Sequence, residues 1–287
     1  METLLHIERE GIKRVAFLKD SIVALGECLY INEDEICPEE LIDMDMNDET
    51  GLIALLGHDN VYIYDYDKNL ISSFSLDLDL ALLNANKVGL GPGEIVVCGE
   101  DDDGPLVLVL NFKNGSIRTE MRANCVDVTI RGYKAYMVNL DVPEDFSLDY
   151  VAKLDILDLT KKSARTVYQR SSEDLWDARV KVDWGQTLLG FDGVVRVEDE
   201  AEFPGRFGLP LPNNALVTFS MDYLLVFDKN GKLVAEERVG WINDADWRSN
   251  MLLLGGPEGI KVMELKVERL GLRTAEHISR ERDTEWA

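Results

Sequence analysis

The sequence predicts an all-β chain folded as a β-propeller, with seven blades closed by the N-terminal strand. Three observations carry that expectation: strand–turn–strand units recur along the chain, a short apolar strand precedes most of them, and helical periodicity is nearly absent before residue 270.

The unit is clearest in NVYIYDYDKNLISSF (60–74), where Val61, Ile63 and Asp65 alternate with Tyr62, Tyr64 and Tyr66 before the turn residues Asp67, Lys68 and Asn69. LVLVLNFKNGSIRTEM (106–121), VAKLDILDLTKKSARTVY (151–168) and YLLVFDKNGKLVAEERV (223–239) repeat it, with Asn111, Asp158 and Asp228 in the place of Asp65. Weaker copies centre on Asn32, Glu198 and Glu264, and the seven anchors are spaced by 33, 46, 47, 40, 30 and 36 residues. That spacing brackets the roughly 40-residue period of a four-stranded blade. Ahead of the anchors lie IVALGE, LIALLG, IVVCGE, AYMVNL, TLLGFD, LVTFS and LLLGG, each a strand nearer the channel. Before several of these comes a polar alternating segment: LIDMDMND, CVDVTIRG, WDARVKVD and INDADWRS.

A ring of blades closes when one terminus lends a strand to the other's blade. LLHIER near the N-terminus suits that role, completing a last blade whose own strands span Ile242 to Leu270. NVYIYDYDKNLISSF is then the outer hairpin of the second blade. A six-bladed ring with one merged unit is the alternative. AEFPGRFGLPLPNN (201–214) reads as an irregular link between blades, and NLDVPEDFSLDY (139–150), with Pro143 and Phe146, as a loop projecting from one rim. Residues 1–270 form one propeller domain, and 271–287 a tail in which Leu272, Ala275 and Ile278 share one face of a short helix, ending near Trp286.

These units resemble WD40-like repeats. The positions of the family's Trp-Asp pair are held here by Tyr64-Asp65, Leu110-Asn111, Leu157-Asp158 and Phe227-Asp228, and Gly57-His58 falls between the second and third strands of its blade. The resemblance implies a non-enzymatic scaffold or adaptor that presents its loops and channel openings to protein partners.

Composition narrows the partners. Of the 287 residues 46% are apolar, enough for a large core, and no apolar run approaches membrane-spanning length. The start, METLLHIEREGIKR, carries acids where a signal peptide needs a basic start, so cytoplasmic residence is expected. Cys28, Cys37, Cys98 and Cys125 show no CxxC spacing and sit mostly in apolar runs, which predicts reduced, buried thiols. A net charge of -24 repels nucleic acid and anionic lipid, so neither is expected as a direct ligand. The charge is uneven: residues 1–150 hold 30 acids and 11 bases, a balance of -19, against 24 and 19, a balance of -5, in residues 151–287. Residues 20–67 contain 14 acids and neither Lys nor Arg.

That acidic sector supplies the candidate partner site: Glu33, Asp34, Glu35, Glu39, Glu40, Asp43 and Asp45, a patch able to steer a basic protein. Trp241 and Trp247 in GWINDADWRSN join it as candidate anchors, although Trp also packs between blades. No catalytic group, metal site or cofactor is expected. His6, His58 and His277 fall on the closing strand, a turn and the tail, and EDDDG (100–104) reads as an exposed hairpin turn without an EF-hand's ligand pattern. Asp77 and Asp79 in SLDLDL, like Asp43 and Asp45, alternate on one face of a strand. The competing reading is a metal-dependent propeller hydrolase or lactonase holding a cation at the channel mouth. It requires acids to converge from several inner strands, and Asp43, Asp127, Asp177 and Asp244 recur at their starts.

Overall fold

A computed structural model describes residues 1–76, 80–141, 150–172, 178–191 and 193–265. The chain opens with β1 (Glu2–Ile7) and then forms blade 1 from β2 (Arg14–Leu18), β3 (Ser21–Leu25), β4 (Leu29–Ile31) and β5 (Asp34–Ile36). Blade 2 comprises β6 (Leu41–Asn47), β7 (Leu52–Gly57), β8 (Asn60–Asp65) and β9 (Leu70–Ser75), and blade 3 β10 (Leu83–Leu90), β11 (Glu94–Asp101), β12 (Gly104–Asn111) and β13 (Ile117–Met121). Blade 4 is β14 (Cys125–Arg131), β15 (Lys134–Asp141), β16 (Tyr150–Asp158) and β17 (Ser163–Ser172). Blade 5 is β18 (Arg179–Asp183), β19 (Gln186–Phe191), β20 (Gly193–Arg196) and β21 (Ala201–Phe203). Blade 6 follows as β22 (Phe207–Pro210), β23 (Leu216–Ser220), β24 (Tyr223–Phe227) and β25 (Leu233–Arg238), and blade 7 begins with β26 (Asp244–Arg248), β27 (Met251–Gly256) and β28 (Gly259–Glu264).

Each blade is an antiparallel four-stranded sheet, and the ring is seven-bladed. The fourth strand of blade 7 is β1, which pairs with β28 from Glu2 opposite Glu264 to Ile7 opposite Ile260. The closure thus joins residues more than 250 positions apart through backbone hydrogen bonds. NVYIYDYDKNLISSF is the β8–β9 hairpin of blade 2, as its alternation requires.

The burial gradient across a blade explains the sequence pattern. Second strands face neighbouring blades on both sides and read as continuous apolar runs: β7 (LIALLG) is buried from Ile53 onward. Outer strands meet solvent and read as mixed: β25 (LVAEER) has no buried residue. The apolar core is divided into seven clusters, one for each junction between neighbouring blades, including Ile12, Val15 and Phe17 of blade 1 against Leu253, Ile260 and Val262 of blade 7.

Four of the seven anchors are turn-capping residues. The Asp65 carboxylate accepts the Asn69 N–H at 2.8 Å, Asn111 that of Lys113 at 3.0 Å, and Asp228 those of Asn230 and Lys232, both at 2.9 Å. A short acceptor satisfies turn amides that no strand partner reaches, which is why Asp or Asn recurs there. At Asp158 the hydroxyl of Thr160 and the amides of Lys161 and Thr160 stabilise the carboxylate and lower its pKa to about 2.

Two expectations are corrected. AEFPGRFGLPLPNN does join two blades but is not irregular: it holds the outermost strand of blade 5 and the innermost strand of blade 6, anchored by the buried Phe203 and Phe207. Strands of three and four residues are too short to display alternation. The cysteines are not reduced thiols either. Cys28 is joined to Cys37 within blade 1, and Cys98 on β11 to Cys125 on β14 across the junction of blades 3 and 4. The Cα separation of 4.7 Å at Cys28–Cys37 is set by the β4–β5 hairpin, in which Leu29 pairs with Ile36, and that of 5.7 Å at Cys98–Cys125 by the packing of blades 3 and 4. The projecting loop with Pro143 and Phe146, the pair Asp77 and Asp79, Asp177, His277 and the tail 271–287 lie outside the described residues.

Candidate functional site

The innermost strand of each blade has one edge that no fifth strand covers, leaving N–H groups pointing along the channel wall. Three aspartates close those edges, each reaching from one blade to the next. Asp43 of β6 accepts the Val88 N–H at 3.1 Å, Asp127 of β14 that of Val180 at 2.8 Å, and Asp244 of β26 that of Val15 at 3.1 Å. All three are buried, with exposures of 2–3%.

Such a ring of buried carboxylates needs cations. Arg14, from β2, supplies the first: its Nε donates to Asp43 at 2.7 Å and its Nη2 to Asp127 at 3.1 Å. Lys181, from β18, sits 2.9 Å from Asp244. Burial opposes the charged form of Arg14, but Asp43, Asp127 and Asp244 outweigh it and push the guanidinium's pKa further up. At Asp244 burial likewise acts to raise the pKa, and Lys181 and Arg14 reverse it to a net lowering.

Two residues along the same strands lies a second layer. Asp45 accepts the Leu90 N–H at 2.8 Å, and Asp246 accepts those of Phe17 at 2.7 Å and Trp247 at 2.8 Å. Neither has a basic side chain within ion-pair distance among the described residues. Burial raises both pKa values, that of Asp45 to about 6, although the field of Arg131 opposes it at both and that of Lys181 at Asp246 as well. Both face a cavity of about 360 Å³ in the channel, lined also by Arg14, Asp48, Asp127, Arg131, Lys181 and Arg248.

The structure does not bring the nine sequence-nominated residues together. Asp43 and Asp45 line the channel. Glu33, Asp34, Glu35 and Glu40 are exposed on or beside the outer edge of blade 1, with Asp34 paired to Lys68 and Glu35 lying 3.9 Å from Arg9. Glu39 is partly buried because its carboxylate accepts the amides of Asp59 and Asn60 at 3.3 and 3.0 Å. Trp247 is 7% exposed and packs in the core between blades 6 and 7. Trp241 is 44% exposed, with the Arg206 guanidinium 3.8 Å from its ring centre.

No protein-family model and no curated protein matches the sequence. The fold does have solved counterparts. A computationally designed protein, Ika8, superposes with a TM-score of 0.65 at 10% identity over 92% of this chain and all of its own. BamB from Moraxella catarrhalis gives 0.57 at 10% identity, over 92% of this chain and 99% of its own. PorZ, an essential surface component of the type-IX secretion system of Porphyromonas gingivalis, gives 0.59 at 12% identity; the match covers 92% of this chain but 38% of PorZ. At these identities the likeness is one of fold alone.

The enzyme reading foresaw part of this geometry: Asp43, Asp127 and Asp244 do converge. It missed Arg14, which in RVAFL looks like any strand-edge arginine. Among the described residues, Cys28, Glu35 and Cys37 alone place three metal-ligating atoms within 4.8 Å of one another, and two of those sulfurs are bonded to each other.

Proposed function

We propose that the protein is a non-enzymatic interaction platform of WD40-like type whose acidic outer edge docks a basic protein. The observation that carries this reading is the exposed run Glu33, Asp34, Glu35 and Glu40 on blade 1, inside a 48-residue stretch without Lys or Arg. Lys68 and Arg9 meet this run from outside the stretch, and Glu33 and Glu40 have no ion pair among the described residues. Fields of one sign on an open edge accelerate encounter with an oppositely charged partner and fix its orientation. The neighbours BamB and PorZ are propellers too, and PorZ's described role in a secretion system is compatible with a platform. The convergent channel aspartates speak for a platform more than for a metal-dependent hydrolase, because Arg14 and Lys181 stand where a catalytic cation would have to sit. The two cystines favour a compartment that keeps thiols oxidised, in contrast to the cytoplasm.

Charge reversal tests the reading. A Glu33→Lys, Glu35→Lys, Glu40→Lys variant should lose, at low salt, a basic protein that the wild type captures from its host's lysate and releases at high salt. Equal capture by both forms would retire the acidic edge. Melting in the presence of calcium, magnesium, manganese or zinc addresses the hydrolase: a saturable rise in Tm that disappears in Asp43→Asn would favour it.

A further inference from the structure

The channel cavity is independent of the acidic edge, and its two unpaired carboxylates call for an occupant. Asp45 and Asp246 stand on the innermost strands of blades 2 and 7, the two neighbours of blade 1, at equivalent positions two residues beyond Asp43 and Asp244. Each is held by backbone N–H groups of its own blade or the next, which fixes its orientation without neutralising its charge. Between them blade 1 presents Ala16, two residues beyond Arg14 on the same face of β2, and so leaves open at this level the space that an arginine fills one layer below. The remaining wall combines the apolar Met46, Phe17 and Trp184 with polar residues that include Arg131, Lys181 and Arg248; together with Arg14 these four cations meet six aspartates, so the lining keeps an acidic excess. A volume of about 360 Å³ falls at the small end of the range usual for ligand sites.

We propose that this cavity binds a primary alkylammonium group, with the ammonium hydrogen-bonded to Asp45 and Asp246 and the alkyl chain against Ala16, Met46 and Trp184. An ammonium carries three donors on a compact charge and can serve two carboxylates at once, as Arg14 serves Asp43 and Asp127 one layer down. Met46 and Trp184 offer an alkyl chain apolar contact that a bare metal ion would not use, and the oxygens of Asp45 and Asp246 are already engaged by amides. The group belongs either to a free small amine or to a lysine side chain, and its chemistry is the same in both.

Calorimetric titration of the intact protein with 1,4-diaminobutane at fixed ionic strength tests the proposal, with Nα-acetyl-lysine methylamide as the second probe. The expected result is saturable binding of one molecule per chain, weakened about tenfold in Asp45→Asn and in Asp246→Asn, as for loss of a charge-assisted hydrogen bond. Tighter binding of the diamine would point to a free amine, and of the blocked lysine to a side chain; each outcome supports the site. Ala16→Leu fills the cavity without altering a charge and should abolish binding while the protein still melts cooperatively. Binding that is absent, non-saturable, or unchanged in all three variants belongs to the acidic surface or to nothing, and overturns the proposal.

Discussion

The two layers of aspartates in the channel are built from the same residue type on the same strands, yet they differ in their ion pairing. Asp43, Asp127 and Asp244 each cap an amide of the next blade and are matched by Arg14 or Lys181. Asp45 and Asp246 cap amides in the same way and have no cation within ion-pair distance among the described residues. Capping an edge therefore explains why aspartate is used, and the cation explains which aspartates are settled. The lower layer ties blades 1, 2, 4, 5 and 7 through side chains that only the folded ring brings together, whereas the upper layer stores unbalanced charge beside a cavity.

The sharpest way to break the contrast is to remove the cation at its centre. Arg14→Met leaves Asp43 and Asp127 buried without their partner and is expected to cost about 3–5 kcal/mol in urea unfolding. Adding Asp43→Asn to that variant should recover part of the loss, because the substitution removes the charge that Arg14 balanced; strict additivity in the double-mutant cycle would mean the two groups do not interact. Lys181→Met comes next. Asp244 keeps the Val15 N–H and the field of Arg14, so the expected cost is smaller, about 1–3 kcal/mol. If Lys181→Met proved as damaging as Arg14→Met, the guanidinium would not be the organising cation.

How far the sequence foretold this structure follows from the range of the interactions involved. The anchors and second strands are local: alternation and the short acceptor before a turn are properties of ten to fifteen consecutive residues, and Asp65, Asn111, Asp158 and Asp228 all cap turns where expected. Closure by β1 was readable because an unpaired apolar strand at a propeller's terminus has one place to go. Innermost strands with aspartates, such as LIDMDMN, were recognised by their alternation, while β22 (FGLP) was missed because four residues carry no period. The Cys98–Cys125 cystine and the role of Arg14 were out of reach for a different reason. Cys98 meets Cys125 and Arg14 meets Asp127 only when separate blades stack, 27 and 113 residues apart. One signal was available: an aspartate flanked by apolar residues in three separate inner strands implies buried charge, and buried charge implies a counterion somewhere in the chain. The same distinction explains why the nominated partner site divided. Asp43 and Asp45 share an acid-rich segment with Glu33–Glu35 but lie on an innermost strand, so the blade turns them to the channel while the outer strand presents the glutamates to solvent.

The smallest predicted effect reverses the sign of the others. Asp45 has a folded-state pKa of about 6, above the ordinary carboxylate value, with burial as the main cause and Asp43 adding to it, while the Leu90 amide and Arg131 oppose it. A carboxyl raised in the folded state binds its proton more tightly there than in the unfolded chain. Between about pH 4 and pH 6 its contribution therefore makes the protein less stable as pH rises, and above pH 6 that loss is complete. Asp244, lowered by Lys181 and Arg14 against its burial, does the opposite: its contribution is present above the ordinary carboxylate pKa and is lost as pH falls through the lower folded value. Asp45→Asn keeps a carbonyl oxygen for the Leu90 N–H and removes the charge. It should be as stable as the wild type at pH 4 and more stable by about 1 kcal/mol at pH 7, measured as parallel melts across that range. The full shift corresponds to roughly 3 kcal/mol, which solvent screening of a carboxyl that is only partly buried reduces. A variant less stable than wild type at pH 7 would mean that the Asp45 charge is matched in the folded ring, and the difference between the two layers would then be one of position alone.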